Sequence, residues 1–252
     1  MFVRKKRFGQ HFLHDLNIAG RVVDALPSGA LKANLVEVGP GKGVLTRFLL
    51  QKGYQPFLIE IDDDLVAFLK KDFPQLNDHI KKADILRFDF SILGAGEIYV
   101  IGNFPYNISS QILLKVIENR EQVIGVVGMF QKEVAHRITG TPGGKEYGIL
   151  SVLTQTFYDT EFLFEVKENA FAPPPKVRSG VIRLVRNEVM LPVPYSNYFK
   201  IVKMAFQQRR KMLRNSLAAY NIATKMPAYA TRRPEELSAD QFIILAAALL
   251  PG

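Results

Sequence analysis

Leu35-Val36-Glu37-Val38-Gly39-Pro40-Gly41-Lys42-Gly43 carries an apolar run into a glycine-rich turn, and Val44-Leu45-Thr46-Arg47-Phe48-Leu49-Leu50 follows with helical spacing. A strand, a tight turn and a helix make the opening unit of an open α/β sheet, which binds ligands at the carboxyl ends of its strands. Glycine lets the backbone pass close to a ligand, so the turn is a nucleotide cradle with Gly39 and Gly41 as contacts. The frame is G-x-G-x-G, without the spacing of dinucleotide binders, so a dinucleotide-dependent oxidoreductase is the weakest reading of this turn.

Three further strand ends carry polar residues to the same edge. Pro56-Phe57-Leu58-Ile59-Glu60-Ile61 leads into Glu60, Asp62, Asp63 and Asp64. Glu60, still on its strand, is placed to grip ribose hydroxyls, whereas Asp63 and Asp64 read as the first turn of a helix, where negative charge is favourable. Residues 80–83 run into Asp84, which can accept from the amine of a bound adenine nucleoside or cap the next turn. Glu37, within its strand, reads as support for the loop. Ile98-Tyr99-Val100-Ile101-Gly102 has the makeup of a buried strand and delivers Asn103-Phe104-Pro105-Tyr106. The Asn103 carboxamide oxygen can accept from an amino group. Pro105 stiffens the turn and leaves backbone carbonyls as further acceptors, and Tyr106 offers a flat ring for a base. A flipped-out adenine whose exocyclic amine is to be alkylated suits this set; a plain polar turn after a strand is the competing reading.

Val36-Glu37-Val38-Gly39-Pro40-Gly41, Glu60, Ala83-Asp84 and Asn103-Phe104-Pro105-Tyr106 resemble the successive motifs of S-adenosylmethionine-dependent methyltransferases, in the form used by the ribosomal RNA adenine N6,N6-dimethyltransferase family. Lys6-Arg7-Phe8-Gly9-Gln10-His11-Phe12-Leu13 is similar to that family's opening motif. Gln131-Lys132-Glu133-Val134, residues 147–152, Phe171-Ala172-Pro173-Pro174-Pro175-Lys176-Val177 and Phe206-Gln207-Gln208-Arg209-Arg210-Lys211 resemble its later blocks in order.

The resemblance implies S-adenosylmethionine as cofactor and methyl transfer to adenine N6 in small-subunit ribosomal RNA, as dimethylation of two adjacent adenosines late in ribosome assembly. It implies Asn103, Pro105, Tyr106 and Phe171 as the residues around the target base, Phe171 and Tyr106 holding it. Its cofactor contacts are His11, Leu13, Gly39, Gly41, Glu60, Asp84 and Asn103. The family usually has Asn where this chain has His11. The last two blocks favour the small-subunit type over related antibiotic-resistance methylases of large-subunit RNA, and the undamaged motifs argue against a binding protein that merely retains the fold.

Composition agrees. A chain of 252 residues, 48% hydrophobic, can bury a full core. It has no cysteine, which excludes a disulfide framework and a thiolate metal site, and its four His lack metal-ligand spacing, so no metal is expected. Apolar stretches such as 242–250 fall short of the roughly 20 residues that span a bilayer, and the basic N-terminus lacks the apolar core of a signal peptide, so a cytoplasmic monomer with no membrane partner is expected. The net charge of +9 suggests a polyanionic partner. Its distribution points to nucleic acid, either small-subunit ribosomal RNA or the immature small subunit. Arg4, Lys5, Lys6 and Arg7 form one basic arm. Lys200, Lys203, Arg209, Arg210, Lys211 and Arg214 form a second run, read as one helix because Ile201, Met204, Ala205, Met212, Leu213 and Leu217 recur at steps of three or four.

Strand-like runs at 35–39, 56–61, 80–83, 98–102 and 123–129 alternate with helical patterns at 17–26, 43–52, 62–71 and 109–119, which predicts a doubly wound, Rossmann-like parallel sheet. Residues 161–166 and 179–185 bracket the proline-rich loop as the antiparallel end of that sheet. Leu191-Pro192-Val193-Pro194 reads as a linker, followed by helices only. The division predicted is a catalytic domain over 1–188 and a small all-helical RNA-binding domain over 195–252. The glycine-rich stretch 139–145 reads as a mobile loop able to order over RNA or cofactor.

Overall fold

The computed structural model describes residues 11–250. The predicted strands and helices are present, together with β1, α5, α6 and β8, which the patterning did not mark: β1 (Phe12–Leu13), α1 (Leu16–Asp24), β2 (Asn34–Val38), α2 (Val44–Gln51), β3 (Phe57–Glu60), α3 (Asp63–Asp72), β4 (Ile80–Lys82), β5 (Ile98–Asn103), α4 (Ser109–Glu118), β6 (Val123–Gln131), α5 (Lys132–Thr139), α6 (Ile149–Phe157), β7 (Tyr158–Val166), β8 (Phe171–Ala172) and β9 (Ser179–Arg186). The remainder is helical: α7 (Tyr195–Gln207), α8 (Leu213–Ser216), α9 (Ile222–Lys225), α10 (Pro227–Ala230) and α11 (Ala239–Leu249).

One sheet runs in the order β4-β3-β2-β5-β6-β9-β7, with β2 to β6 parallel and β9 antiparallel to β6. The chain order reverses between β2 and β5, and at such a switch point the loops leaving the two strands diverge and open a crevice. The parallel strands are buried nearly throughout, because helices cover both faces of a doubly wound sheet. Gly102 is required in β5: a Cβ there would lie 2.5 Å from the Val38 carbonyl oxygen. Asp15 caps α1 by accepting from the amides of Asn17 and Ile18. Asp62 caps α3, and Asp63 and Asp64 occupy its first turn, as their preference for a helix N-terminus predicts.

The chain divides into two compact units. One takes in the chain up to Ala135 with Glu161–Arg186; the other takes in His136–Thr160 and the chain from Asn187 on. The helical unit therefore includes α6, which the patterning did not reveal. Ser151 to Thr154, Thr156 and Phe157 are all buried. Its Thr156 hydroxyl meets the Tyr198 hydroxyl of α7 at 2.6 Å, and Phe206 of α7 stacks on Phe242 of α11 at 5.7 Å. The apolar stretch 242–250 falls largely in α11, which buries Phe242, Leu245, Ala246 and Leu249, exposes Ile244, and is capped by Ser238 and Gln241. Among the described residues no helix is long and apolar enough to cross a membrane.

Candidate active site

The glycine turn after β2 is built on backbone that only glycine adopts freely. Gly39, Gly41 and Gly43 have φ of +64°, +57° and +71°. A Cβ on Gly43 would also lie 2.3 Å from the Phe73 ring. Glu60, at the end of β3, braces this turn. One carboxylate oxygen accepts from the Gly41 amide at 3.3 Å, and the other from the amides of Ile61 (2.9 Å) and Asp62 (3.0 Å). A carboxylate has about four acceptor positions, so Glu60 can hold the turn and still accept from a ligand hydroxyl through the oxygen bonded to Gly41. Burial raises its pKa, partly offset by the hydrogen bonds from Asp62, Gly41 and Ile61.

Glu37 lies behind the turn, 1% exposed, and accepts from the Thr46 hydroxyl of α2 at 2.7 Å. Burial pushes its pKa up to about 8, so near neutral pH it is mostly an uncharged acid. Its place between strand and helix is that of a support for the loop.

The segment after β5 is anchored by Phe104. The ring is 1% exposed, makes an edge contact with Phe130 at 5.1 Å, and fills the space where side chains on Gly102 and Gly128 would fall, 2.9 and 2.3 Å from its atoms. Its amide donates to the Met129 carbonyl at 3.2 Å, carrying the β5–β6 pairing one residue past the strand. Asn103 is held just before this anchor. Its Nδ2 donates to the His11 carbonyl at 2.8 Å, which fixes the amide orientation. Among the described residues Oδ1 accepts no hydrogen bond and is the group left to meet a ligand. The Tyr106 hydroxyl meets the Ser179 hydroxyl at 2.5 Å, and burial raises its pKa.

Pro105 lines the cleft and Phe171 does not. The Pro105 carbonyl, expected as a further acceptor, takes the Ile108 amide at 3.1 Å as its turn closes and keeps its second acceptor position, while among the described residues the Phe104 carbonyl accepts no backbone hydrogen bond. Phe171 does not reach the cleft. It pairs with Leu13 where β8 meets β1, is 2% exposed, and packs in the core with Leu13, Val166 and Ala170.

Asp84 fits both of its readings: Oδ1 accepts from the Leu86 amide at 3.0 Å, and Oδ2 has only a loose approach, 4.0 Å, to the exposed Arg87 guanidinium. His11, Leu13, Gly39, Gly41, Glu60, Asp84, Asn103, Pro105 and Tyr106 all line a single cleft. Phe12, Ile61, Ile85 and Leu86 line it too and were not singled out. The available signal was position, since Ile61 and Ile85-Leu86 directly follow Glu60 and Asp84. Polar groups paired with apolar neighbours suit a flat heterocycle attached to a sugar.

The expected basic sites stand differently. Arg4, Lys5, Lys6 and Arg7 lie outside the described residues. The second run is not one helix: α7 stops at Gln207, and residues 208–211 form a turn closed by the Lys211 amide on the Gln208 carbonyl at 2.8 Å. Gln208 leaves helical geometry (φ −124°, ψ 56°), and an apolar period that resumes at Leu213 hides this break. Arg210, Lys211 and Arg214 are exposed. Arg209 donates to the carbonyls of Gly144 (3.3 Å) and Lys145 (2.6 Å). The glycine-rich stretch read as mobile is thus tied down, also through the Gly143 amide to the Glu235 carbonyl (2.7 Å) and Gln155 Nε2 to the Gly140 carbonyl (2.7 Å).

Comparison with known proteins bears on this cleft. A family model described as ribosomal RNA adenine dimethylase matches residues 1–237. The chain is 49% identical to a ribosomal RNA small subunit methyltransferase A of Flavobacterium johnsoniae, over 96% of this chain and 94% of the relative. It is likewise 49% identical to the protein of that name from Porphyromonas gingivalis, over 96% and 95% of the two chains. The fold is similar to that of a dimethyladenosine transferase from Plasmodium falciparum (TM-score 0.78, 23% identity, 94% of this chain and 97% of that one) and of a 23S rRNA methyltransferase (TM-score 0.72, 24% identity, 94% and 99%). With a glycine turn, strand-end acids and an oriented Asn103 amide in one cleft, and a family model matching nearly the whole length, the chain belongs to the ribosomal RNA adenine dimethylase family.

Proposed function

We propose that this chain transfers methyl groups from S-adenosylmethionine to the exocyclic N6 of adenines in small-subunit ribosomal RNA, dimethylating two adjacent adenosines late in ribosome assembly. The observation that carries the reading is the Asn103 amide. The bond from Nδ2 to the His11 carbonyl orients the amide, so that Oδ1, an acceptor of the polarity an amine requires, is the oxygen left open.

The cleft fits the cofactor. The positive-φ glycines admit close backbone approach, Glu60 keeps an acceptor position for a ribose hydroxyl, and Asp84 with Ile85 and Leu86 combines an acceptor for an adenine amine with apolar walls. When bound, S-adenosylmethionine supplies an electrophilic methyl group. The protein's part is then to hold the incoming nitrogen in line and to favour the positive charge it acquires. Asn103 Oδ1 and the Phe104 carbonyl accept from N6, and the Tyr106 ring supports the base. No strong general base is needed, because the alkylated nitrogen is cationic and releases its proton to water. Leu13 and His11 close the cofactor side of the cleft. Arg210, Lys211 and Arg214, with the Arg4–Arg7 arm, contact RNA phosphates, and Arg209 sets the loop beside them. The helical unit serves as the RNA-holding part and the sheet-bearing unit as the catalytic part.

The test is methylation of purified small subunits with radiolabelled cofactor, followed by mass spectrometry of the nucleosides. N6,N6-dimethyladenosine in small-subunit RNA is the expected product. Label confined to large-subunit RNA, or on an atom other than N6, would refute the assignment.

A further inference from the structure

Tyr106 is held at both ends. Its carbonyl accepts from the Ser109 hydroxyl at 3.2 Å, at the start of α4, and its own hydroxyl meets that of Ser179 at 2.5 Å. Both serines are buried. Ser179 has a fixed place in the sheet. It begins β9 and pairs with Gln131 at the end of β6, and the Lys132 amide donates to the Arg178 carbonyl at 2.9 Å, which extends that ladder by one residue. Tyr106 follows β5, and β6 lies between β5 and β9. Neighbouring strands are about 4.8 Å apart, so β5 and β9 are separated by roughly 10 Å, a gap that the tyrosine and serine side chains bridge between them.

The phenolic hydroxyl lies on the long axis of its ring. A hydrogen bond there fixes where the far end of the ring stands and leaves both faces uncovered. Tyr106 lines the cleft and Ser179 does not, so the hydroxyl is engaged outside the cleft and the ring is what the cleft receives. A phenylalanine would offer the same faces without the anchor.

We propose that Ser179 is a positioning residue for methyl transfer: its hydroxyl holds the Tyr106 ring in the place where the target adenine stacks. The proposal rests on the adenine-methylation reading above. Ser179 touches neither base nor cofactor and acts through Tyr106 alone. Without it the ring is free to swing about its Cα–Cβ bond, and a base resting on the ring strays from the line of attack that the transfer requires.

Ser179→Ala, Tyr106→Phe and the variant carrying both form a cycle that isolates this contact. With purified small subunits as substrate, kcat/KM for the subunit is expected to fall about three- to tenfold in S179A, the scale of one hydrogen bond between uncharged groups, and by a similar factor in Y106F. The double variant is expected to lose no more than the larger single loss, because once one hydroxyl is gone the other has nothing to hold. Calorimetric affinity for S-adenosylmethionine is expected to stay within about twofold in S179A, as for a site with no shared partner. A general loosening of the sheet would lower that affinity as well. Wild-type kcat/KM in either single variant, losses that multiply in the double variant, or a matching loss of cofactor affinity in S179A would each overturn the assignment. If S179A does not fold, Y106F decides alone, wild-type kcat/KM overturning the proposal and a loss at unchanged cofactor affinity supporting it. A wild-type protein that places no methyl on adenine N6 would instead bring down the functional reading, and the role of Ser179 with it.

Discussion

Glu37→Gln probes the support behind the glycine turn. Burial, the largest influence, lifts the Glu37 pKa from an ordinary 4.5 to about 8; the Thr46 hydrogen bond acts in the opposite direction, and the neighbouring Glu60 adds a smaller upward push. Between these values the native protein keeps the proton and the unfolded chain has released it. Stability from this group is therefore full below about pH 4.5 and falls as pH rises, levelling off above about 8. The difference of about 3.5 pH units, at about 1.4 kcal/mol each, sets an upper bound on the order of 5 kcal/mol. Glutamine cannot ionise, and its carboxamide oxygen can still accept from Thr46. In urea titrations followed by circular dichroism, E37Q should match wild type within about 1 kcal/mol near pH 5. Near pH 8.5 it should be more stable by several kcal/mol, on the order of that bound. The difference between the two proteins cancels every other titrating group except Glu60, which is coupled to Glu37. A variant whose stability relative to wild type is the same at both pH values would show that Glu37 ionises normally and that the buried-acid account is wrong.

Asn103→Ala should lower kcat about 100- to 1,000-fold, the scale of losing one positioned polar group at the reacting centre, with cofactor affinity within about threefold; near-normal methyl transfer would remove Asn103 from the chemistry. Gly43→Ala forces a Cβ into left-handed backbone and against Phe73, and should cost at least about 2 kcal/mol in urea unfolding; a loss below about 0.5 kcal/mol would show that the turn relaxes. Arg210→Ala combined with Lys211→Ala should reduce the slope of log affinity for ribosomal RNA against log salt by roughly 0.7 to 0.9 per lost phosphate contact. Cofactor affinity should not change, and a loss of it would mean that the exposed turn serves the cleft.

Local chemistry made much of this protein legible. Three glycines in G-x-G-x-G, two acids at the ends of strands and Asn-Phe-Pro-Tyr after an apolar run each carry a backbone or hydrogen-bonding requirement that few other residues meet, and the strand–helix alternation placed them on one edge. The α6 helix was missed although its apolar spacing is no weaker than that of α4, because a short apolar run such as 149–153 suits a buried strand as well as a helix. The break after Gln207 was missed because the apolar period resumes in phase at Leu213, so a turn and a continuous helix look alike.

By itself the chain's sequence determined the order of strands and helices, the edge at which ligands bind, and the polarity of the groups delivered there, since these follow from periodicity and residue type within short segments. Tertiary structure alone decided which atoms of those residues remain available. The His11 carbonyl oriented the Asn103 amide so that its oxygen is the atom left open, and Phe171, paired with Leu13, is buried in the core. Arg209 was committed to the Gly144 and Lys145 carbonyls. The partners lie as many as 158 residues apart in these cases, as for Phe171 and Leu13, and whether a donor or a ring is already satisfied depends on what the fold brings within about 3 to 4 Å of it.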